Sequence, residues 1–261
     1  MATFHELDWY ETPRWYDAIY DVDTEHEADF LVDALECYGP ASRRRRAIEP
    51  ACGTGRLLAA LGRRGFQVAG FDQSEAMLAF ARERLAAAGV AARVTRGELE
   101  APRIRGRYEL AFCLVSTFKY VLDEAGARRH LAAIADALVP GGIYLLGLHL
   151  CDYAETRRRR ERWVARCGDA TVVCNVQTWP PDRARRRERV RSRLHVTRGD
   201  DVQRTETTWE FRTYDARQLA ALVRAVPTLE HVATHDFTYS LDSTSDLTDG
   251  LYDVLLVLRR R

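Results

Sequence analysis

Between Arg46 and Gly147 short apolar runs alternate with amphipathic stretches, and few architectures accommodate such a regular pattern. Ala47–Glu49 ends a first strand, and Gly53-Thr-Gly55 turns the chain into a stretch where Leu57, Leu58 and Leu61 share one helical face until Gly65 stops it. Phe66–Phe71 reads as a second strand ending at Asp72. Ser74 is placed to cap a helix carrying Met77, Leu78, Ala81 and Leu85, with Gly89 as its terminator. Val90–Thr95 and Leu110–Leu114 read as third and fourth strands. Asp123 opens a helix with Leu131, Ile134 and Leu138 on one side, and Pro140-Gly-Gly142 punctuates it before a fifth, buried strand at Ile143–Leu148. This alternation predicts an α/β protein with a parallel sheet and helices on both of its faces.

The pattern changes after His149. Thr171–Thr178, Arg187–Val196 and Gln203–Phe211 read as three β-rich segments separated by Pro180-Pro-Asp182 and Arg198-Gly-Asp200, an antiparallel meander inserted between core elements. Ala216–Val226 returns to helix, and His231–Phe237 and Tyr252–Leu258 add two strands. The expected division is one domain: an N-terminal helical lid over 1–45, a core over 46–150 and 213–261, and the insertion over 151–212.

Composition excludes several classes. The formal net charge is +1, so no global field marks a partner as polyanionic, and nucleic acid is not expected. Of the 39 basic residues only Lys119 is lysine, so Arg43–Arg46, Arg157–Arg160 and Arg185–Arg187 read as solvated faces written with one basic residue. The six cysteines form no C-x-x-C pair, which fits reduced thiols in a cytoplasmic protein and no metal site. No basic, then apolar, leader begins the chain, and no apolar run approaches the ~18 residues of a membrane span.

The chemistry is concentrated in Glu49-Pro-Ala-Cys-Gly-Thr-Gly55. A glycine-rich turn between strand and helix lets backbone amides approach a ligand near the positive end of the helix. Asp72, at the end of the next strand, stands where open parallel sheets present an acid to a ribose diol. A dinucleotide site is the weaker reading, because Arg56-Leu-Leu58 supplies no third small residue for the pyrophosphate turn.

This chain resembles the class I S-adenosylmethionine-dependent methyltransferases, whose signature runs acid-x-glycine-x-glycine-x-glycine, with Ala51 in place of the first glycine. The resemblance extends over Trp15-Tyr-Asp17, Phe71-Asp-Gln-Ser74, Gly97-Glu-Leu99, Phe112–Tyr120 and Pro140-Gly-Gly142. It implies a Rossmann-like, mostly parallel seven-stranded sheet, with an antiparallel β insertion after the fifth strand. It implies S-adenosylmethionine as cofactor. Glu49 would orient the glycine turn of Ala51, Gly53 and Gly55, and Asp72, with Gln73 beside it, would accept the ribose hydroxyls. Glu98, Leu99 and Met77 would lie around the adenine, and Leu114 beside the methionine. Tyr16 would close over the cofactor from the aromatic stretch Trp9–Tyr20, either as a mobile lid or as a static docked helix.

On the acceptor side, His149 is the first candidate to deprotonate or position the nucleophile, because it follows the fifth strand at the ligand-binding edge. Tyr120 is the second. Lys119 is expected to face solvent. Where amino-methylating enzymes of nucleobases carry an Asn/Asp-Pro-Pro-aromatic motif, this chain reads Leu114-Val-Ser-Thr-Phe118, and Trp179-Pro-Pro-Asp182 reads as a turn. The lid and insertion together look like small-molecule methyltransferases, including the aminosugar N-methyltransferase group, an analogy of architecture. A small-molecule amine or hydroxyl acceptor is therefore the leading expectation, with a homodimer formed through the insertion. A peptide or RNA acceptor would be favoured if Arg157–Arg166 and Arg183–Arg193 cluster on one face. A non-catalytic scaffold would be favoured by an occluded pocket above Asp72.

Overall fold

The apolar runs of the first half become strands buried on both sides. In the computed structural model, which describes residues 4–261, a two-residue strand β1 (His5–Glu6) leads through a 3-10 turn at Trp9–Glu11 into α1 (Pro13–Tyr20) and α2 (Thr24–Tyr38). The alternating core follows as β2 (Arg46–Pro50), α3 (Arg56–Arg63), β3 (Gln67–Asp72), α4 (Glu75–Ala87), β4 (Ala92–Arg96), β5 (Tyr108–Cys113), α5 (Glu124–Ala137) and β6 (Leu138–His149). The inserted strands are β7 (Arg159–Cys167), β8 (Ala170–Thr178), β9 (Arg187–Arg198) and β10 (Asp201–Arg212), before α6 (Ala216–Arg224), β11 (Leu229–His235) and β12 (Asp253–Arg260).

Seven strands pair in the order β11-β12-β6-β5-β2-β3-β4. Neighbours from β4 to β6 are parallel, and β12 runs antiparallel to both β6 and β11. Side chains alternate across the sheet: in β5, Tyr108, Ala111 and Cys113 face α5 and α6, while Leu110 and Phe112 face α2, α3 and α4. The predicted Rossmann-like class is therefore the observed one. Chain order reverses between β2 and β5, so their carboxyl ends diverge and leave a crevice, where open α/β sheets bind ligands.

The second sheet runs β1-β10-β9-β8-β7, two strands more than the expected meander. The run Arg157–Arg160, expected as a solvated face, leads into the edge strand β7. Its alternation was hidden because arginine occurs on both faces, Arg159 on one and Arg160, Arg162 and Arg166 on the other. Register places Glu161 opposite Val176 and Val190 opposite Trp209, so Arg159, Glu161, Trp163, Val176, Glu188, Val190, Trp209 and Phe211 share one face. α1 packs against that sheet, with Trp9 and Ile19 buried among Ala170, Val172, Cys174 and Leu194.

Pro140-Gly-Gly142 does not separate helix from strand as expected. It lies inside β6, as a bulge between the pairs Tyr108–Leu138 and Leu110–Ile143, with Gly141 at φ +76.

The turn after β2 explains its own spacing. Ala51, Gly53 and Gly55 are all left-handed, with φ of +53, +51 and +70, so alternate positions favour glycine, and Ala51 is strained. At Gly55 an added Cβ would stand 3.0 Å from the Cβ of Ala81 in α4. Gly55→Ala should destabilise the fold by roughly 1–3 kcal/mol, whereas Ala51→Gly should stabilise it by up to about 1 kcal/mol. Urea midpoints at constant slope measure both, and a lower midpoint for Ala51→Gly would contradict the strain at that position.

Candidate active site

The site grows from the carboxyl end of β3. The backbone N–H of Gly53 donates to Asp72 Oδ2 at 2.9 Å, and the N–H of Ser74 donates to Oδ1, also at 2.9 Å. One carboxylate thus ties the glycine turn to the start of α4, which Ser74 caps by accepting from the N–H of Met77 at 3.2 Å. Burial raises the Asp72 carboxyl, and the bonds from Ser74, Gly53 and Gln73 oppose that shift. The turn is also fastened outward: Thr54 Oγ1 donates to Asp17 Oδ1 of α1 at 2.7 Å, and Asp17 pairs with Arg84 of α4.

Glu49, near the end of β2, is 9% exposed, and its Oε2 has no hydrogen-bond partner among the described residues. Burial holds its carboxyl well above the usual range; Arg56 opposes this, and Glu27 and Asp72 reinforce it. An orphaned buried carboxylate is costly by itself, so its natural complement is a cationic donor.

Two cavities flank the turn. One is bounded by Phe71, Asp72, Gln73 and Gly97–Glu100. The other, larger in the number of residues that line it, extends from Glu49, Leu114 and His149 up to the inner face of the second sheet. Tyr10, Tyr16, Ala51, Gly53, Thr117 and Tyr120 line both. On that shared wall Tyr10 donates from its hydroxyl to that of Tyr120 at 2.7 Å. Burial pushes the phenols of Tyr10, Tyr16 and Tyr120 upward, so they act as neutral hydroxyls.

His149 lines the larger cavity. Its Nδ1 donates to Asp253 Oδ1 at 2.7 Å, since a carboxylate only accepts. Its ring stacks on Tyr252 with centroids 4.7 Å apart and planes 10° apart. The bond to Asp253 keeps a proton on Nδ1 and fixes the ring's orientation. Lys119 does not face solvent as expected. It is 2% exposed, and Nζ lies 2.6 Å from Glu188 Oε1.

Most of the sequence-derived residues meet at the two cavities. Tyr16, Ala51 and Gly53 lie on the shared wall, with Asp72, Gln73, Glu98 and Leu99 on one side and Glu49, Leu114 and His149 on the other. Met77 and Gly55 line neither cavity: Met77 is fully buried, and Gly55 lets α3 approach α4. Sequence reasoning missed Asp253, whose partnership with His149 follows from the antiparallel register of β12 on β6. It also missed Trp209 and Phe211, although their i, i+2 spacing was a readable sign of a shared face.

Residues 47–142 match a family described as a methyltransferase domain. Over 136 residues the chain is 32% identical to the glycine/sarcosine N-methyltransferase of Halorhodospira halochloris, covering 51% of this chain and 49% of that protein. The chain spans about half the length of the curated relatives it matches. An S-adenosylmethionine-dependent methyltransferase from Clostridium acetobutylicum shares the fold with a TM-score of 0.75 at 18% identity, over 94% of this chain and 96% of that one. An amino pentose methyltransferase from Micromonospora echinaspora, involved in calicheamicin biosynthesis and solved with S-adenosylmethionine bound, aligns over 100% of both chains with a TM-score of 0.73 at 19% identity.

The smaller cavity depends on a buried histidine. His130 of α5 bonds through Nδ1 to Leu99 O at 2.9 Å and through Nε2 to the Tyr144 hydroxyl at 2.8 Å, and so fixes the Glu98–Leu99 loop. Burial lowers its pKa to about 4. Between that value and the unfolded one the unfolded chain binds more protons, so stability is full above pH ~6.5 and falls with acidification, by up to about 3 kcal/mol at pH ~4. His130→Gln should lose that part of the pH dependence in urea titrations. Parallel pH curves for variant and parent would show that His130 is not buried neutral.

Proposed function

We propose that this chain, in which residues 47–142 form a methyltransferase domain within a class I methyltransferase fold, binds S-adenosylmethionine and methylates a small-molecule amine or hydroxyl. One observation carries the proposal: the glycine turn stands between two cavities, with Asp72 in one and the orphaned carboxylate of Glu49 in the other. That pair suits a ligand with a ribose diol at one end and an ammonium at the other. Asp72 and Gln73 would hold the ribose, with Glu98 and Leu99 at the adenine. Glu49 would hold the ammonium, with Leu114 beside the methionine chain and Ala51 and Gly53 beneath it. Tyr16 would cover the junction. The bound cofactor supplies an electrophilic methyl group on a sulfonium.

The chain's own residues then position the acceptor and exclude water. The roof sheet and the N-terminal aromatics enclose the larger cavity with Trp9, Tyr20, Trp163, Trp209 and Phe211, Tyr252 joins them from the residue before β12, and Glu161 adds a carboxylate. Aromatic faces beside a carboxylate favour a cationic or protonatable acceptor, so an amine fits better than a plain hydroxyl. His149, held by Asp253, would take the proton that such a nucleophile must lose. Tyr120, kept neutral, would orient the acceptor and not deprotonate it. On this reading the core, the insertion and the N-terminal segment form one domain, with the insertion as the acceptor's roof.

A macromolecular acceptor, peptide or RNA, has one observation in its favour. Register puts Arg160, Arg162 and Arg166 of β7 and Arg189, Arg191 and Arg193 of β9 together on the outer face of the second sheet. That face points away from the cavity, and Arg191 and Arg193 share Glu206, which leaves the small-molecule reading ahead. Two copies meeting there would set arginine against arginine, which disfavours a homodimer through this face. The open cavity beside Asp72 removes the motive for a non-catalytic scaffold.

S-adenosylhomocysteine should raise the melting temperature by linkage, and NAD should not. Asp72→Ala should weaken S-adenosylhomocysteine binding by about 2 kcal/mol in calorimetry. A melting shift with NAD and none with S-adenosylhomocysteine would overturn the proposal.

A further inference from the structure

The 3-10 turn after β5 (Thr117–Tyr120) carries two residues of the wall shared by both cavities, and it is fastened to the end of β6 at three points. Ser116 N–H donates to Gly147 O at 3.0 Å, His149 N–H donates to Ser116 Oγ at 2.9 Å, and Lys119 Nζ donates to His149 O at 3.3 Å. The fastening holds a conformation the chain would not choose alone. Val115 and Ser116 are left-handed, at φ +56 and +66, and a β-branched residue rarely adopts that region.

Lys119 also reaches across the cavity. Its ammonium binds Glu188 of β9 and lies 5.2 Å from the ring centroid of Phe211 in β10, both on the roof. The pair is enclosed, with side-chain exposures of 3% and 11%. In such surroundings either charge alone is far less tolerable than both together. One ammonium therefore joins the roof sheet to the peptide of His149.

The residue type points the same way. Position 119 is the single lysine among 39 lysines and arginines, so this chain departs from arginine once, at a buried site. A compact ammonium offers three donors around one atom, and here it meets a carboxylate, a carbonyl and an aromatic face. A planar guanidinium spreads its donors over a wide fork and does not substitute for it.

We infer that Lys119 is a positioning residue for the proposed methyl transfer: by holding Glu188 and the carbonyl of His149 together, it makes closure of the acceptor roof and alignment of the imidazole one event. The inference rests on the reading of His149 as the group that faces the acceptor. It concerns how that group is held, not how the cofactor binds.

The test is the ring ¹⁵N spectrum of His149 in the 261-residue chain saturated with S-adenosylhomocysteine, with amide exchange in β9 as a measure of roof closure. The parent should show one Nδ1–H tautomer. Lys119→Met, which strands the Glu188 carboxylate, should accelerate β9 exchange at least tenfold and disperse the ring signature. The double variant Lys119→Met/Glu188→Met removes both charges, so β9 protection should return while the His149 signature stays altered. It also serves if the single variant does not fold. Lys119→Arg should not restore the parent signature. Parent-like ring signals in the double variant, or in Lys119→Arg, would overturn the inference and leave Lys119 as a roof fastening only. Failure of the parent to bind S-adenosylhomocysteine would count instead against the methyltransferase reading.

Discussion

The carboxylate of Asp72 accepts hydrogen bonds from the backbone N–H groups of Gly53 and Ser74, and the geometry of the site hangs on those two bonds. They join the end of β3 to the turn that leaves β2 and to the first turn of α4. The turn needs this support because three alternate residues in it are left-handed and one of them is an alanine. With Asp72 in place, Thr54 is presented to Asp17, and Asp17 to Arg84, so α1 is fixed over the turn by the same chain of contacts. The aromatic residues of the N-terminal segment then close both cavities, and Tyr16 becomes common to the two.

The acceptor side is built differently. Its floor is the rigid parallel sheet, whose β5 is buried at every position, and its roof is a separate antiparallel sheet. Sites are most accurate when the groups that do chemistry sit on such rigid elements. His149 ends a long strand and is held by four neighbours: Asp253 at Nδ1, Tyr252 on its face, and Ser116 and Lys119 on its peptide. The roof touches this arrangement through Glu188. The two halves of the larger cavity therefore communicate through charge, whereas the two cavities communicate through the tyrosine pair Tyr10–Tyr120.

Local chemistry was legible in the sequence where each residue's role is set by its neighbours along the chain. Ser74 and Asp123 were readable as caps, Glu49–Gly55 as a turn between strand and helix, and Asp72 as a strand-end acid, because each pattern spans only a few residues. The strand–helix alternation was legible as a parallel sheet with helices on both faces for the same reason, whereas its seven strands were implied by the family resemblance. What stayed hidden depends on long-range register. Asp253 meets His149 only because β12 inserts antiparallel beside β6. Lys119 is buried only because β9 brings Glu188 over it. The edge strand β7 was masked by arginine on both faces, and Met77 shows the opposite error, an apolar helix residue placed at the ligand although it packs in the interior. The bulge at Pro140-Gly-Gly142 kept the signature of a terminator while lying within a strand.

The account turns on whether the orphaned carboxylate of Glu49 is kept for the ammonium end of the cofactor. Burial holds that carboxyl well above its ordinary range, and an incoming ammonium favours its charged form, so binding lowers it and releases protons. Calorimetric titration with S-adenosylhomocysteine near pH 6, in buffers of different ionisation enthalpy, measures this directly. The account predicts net proton release in the parent protein and none in Glu49→Gln, with weaker binding in the variant. Binding heats that do not depend on the buffer, or the same proton release in Glu49→Gln, would contradict it.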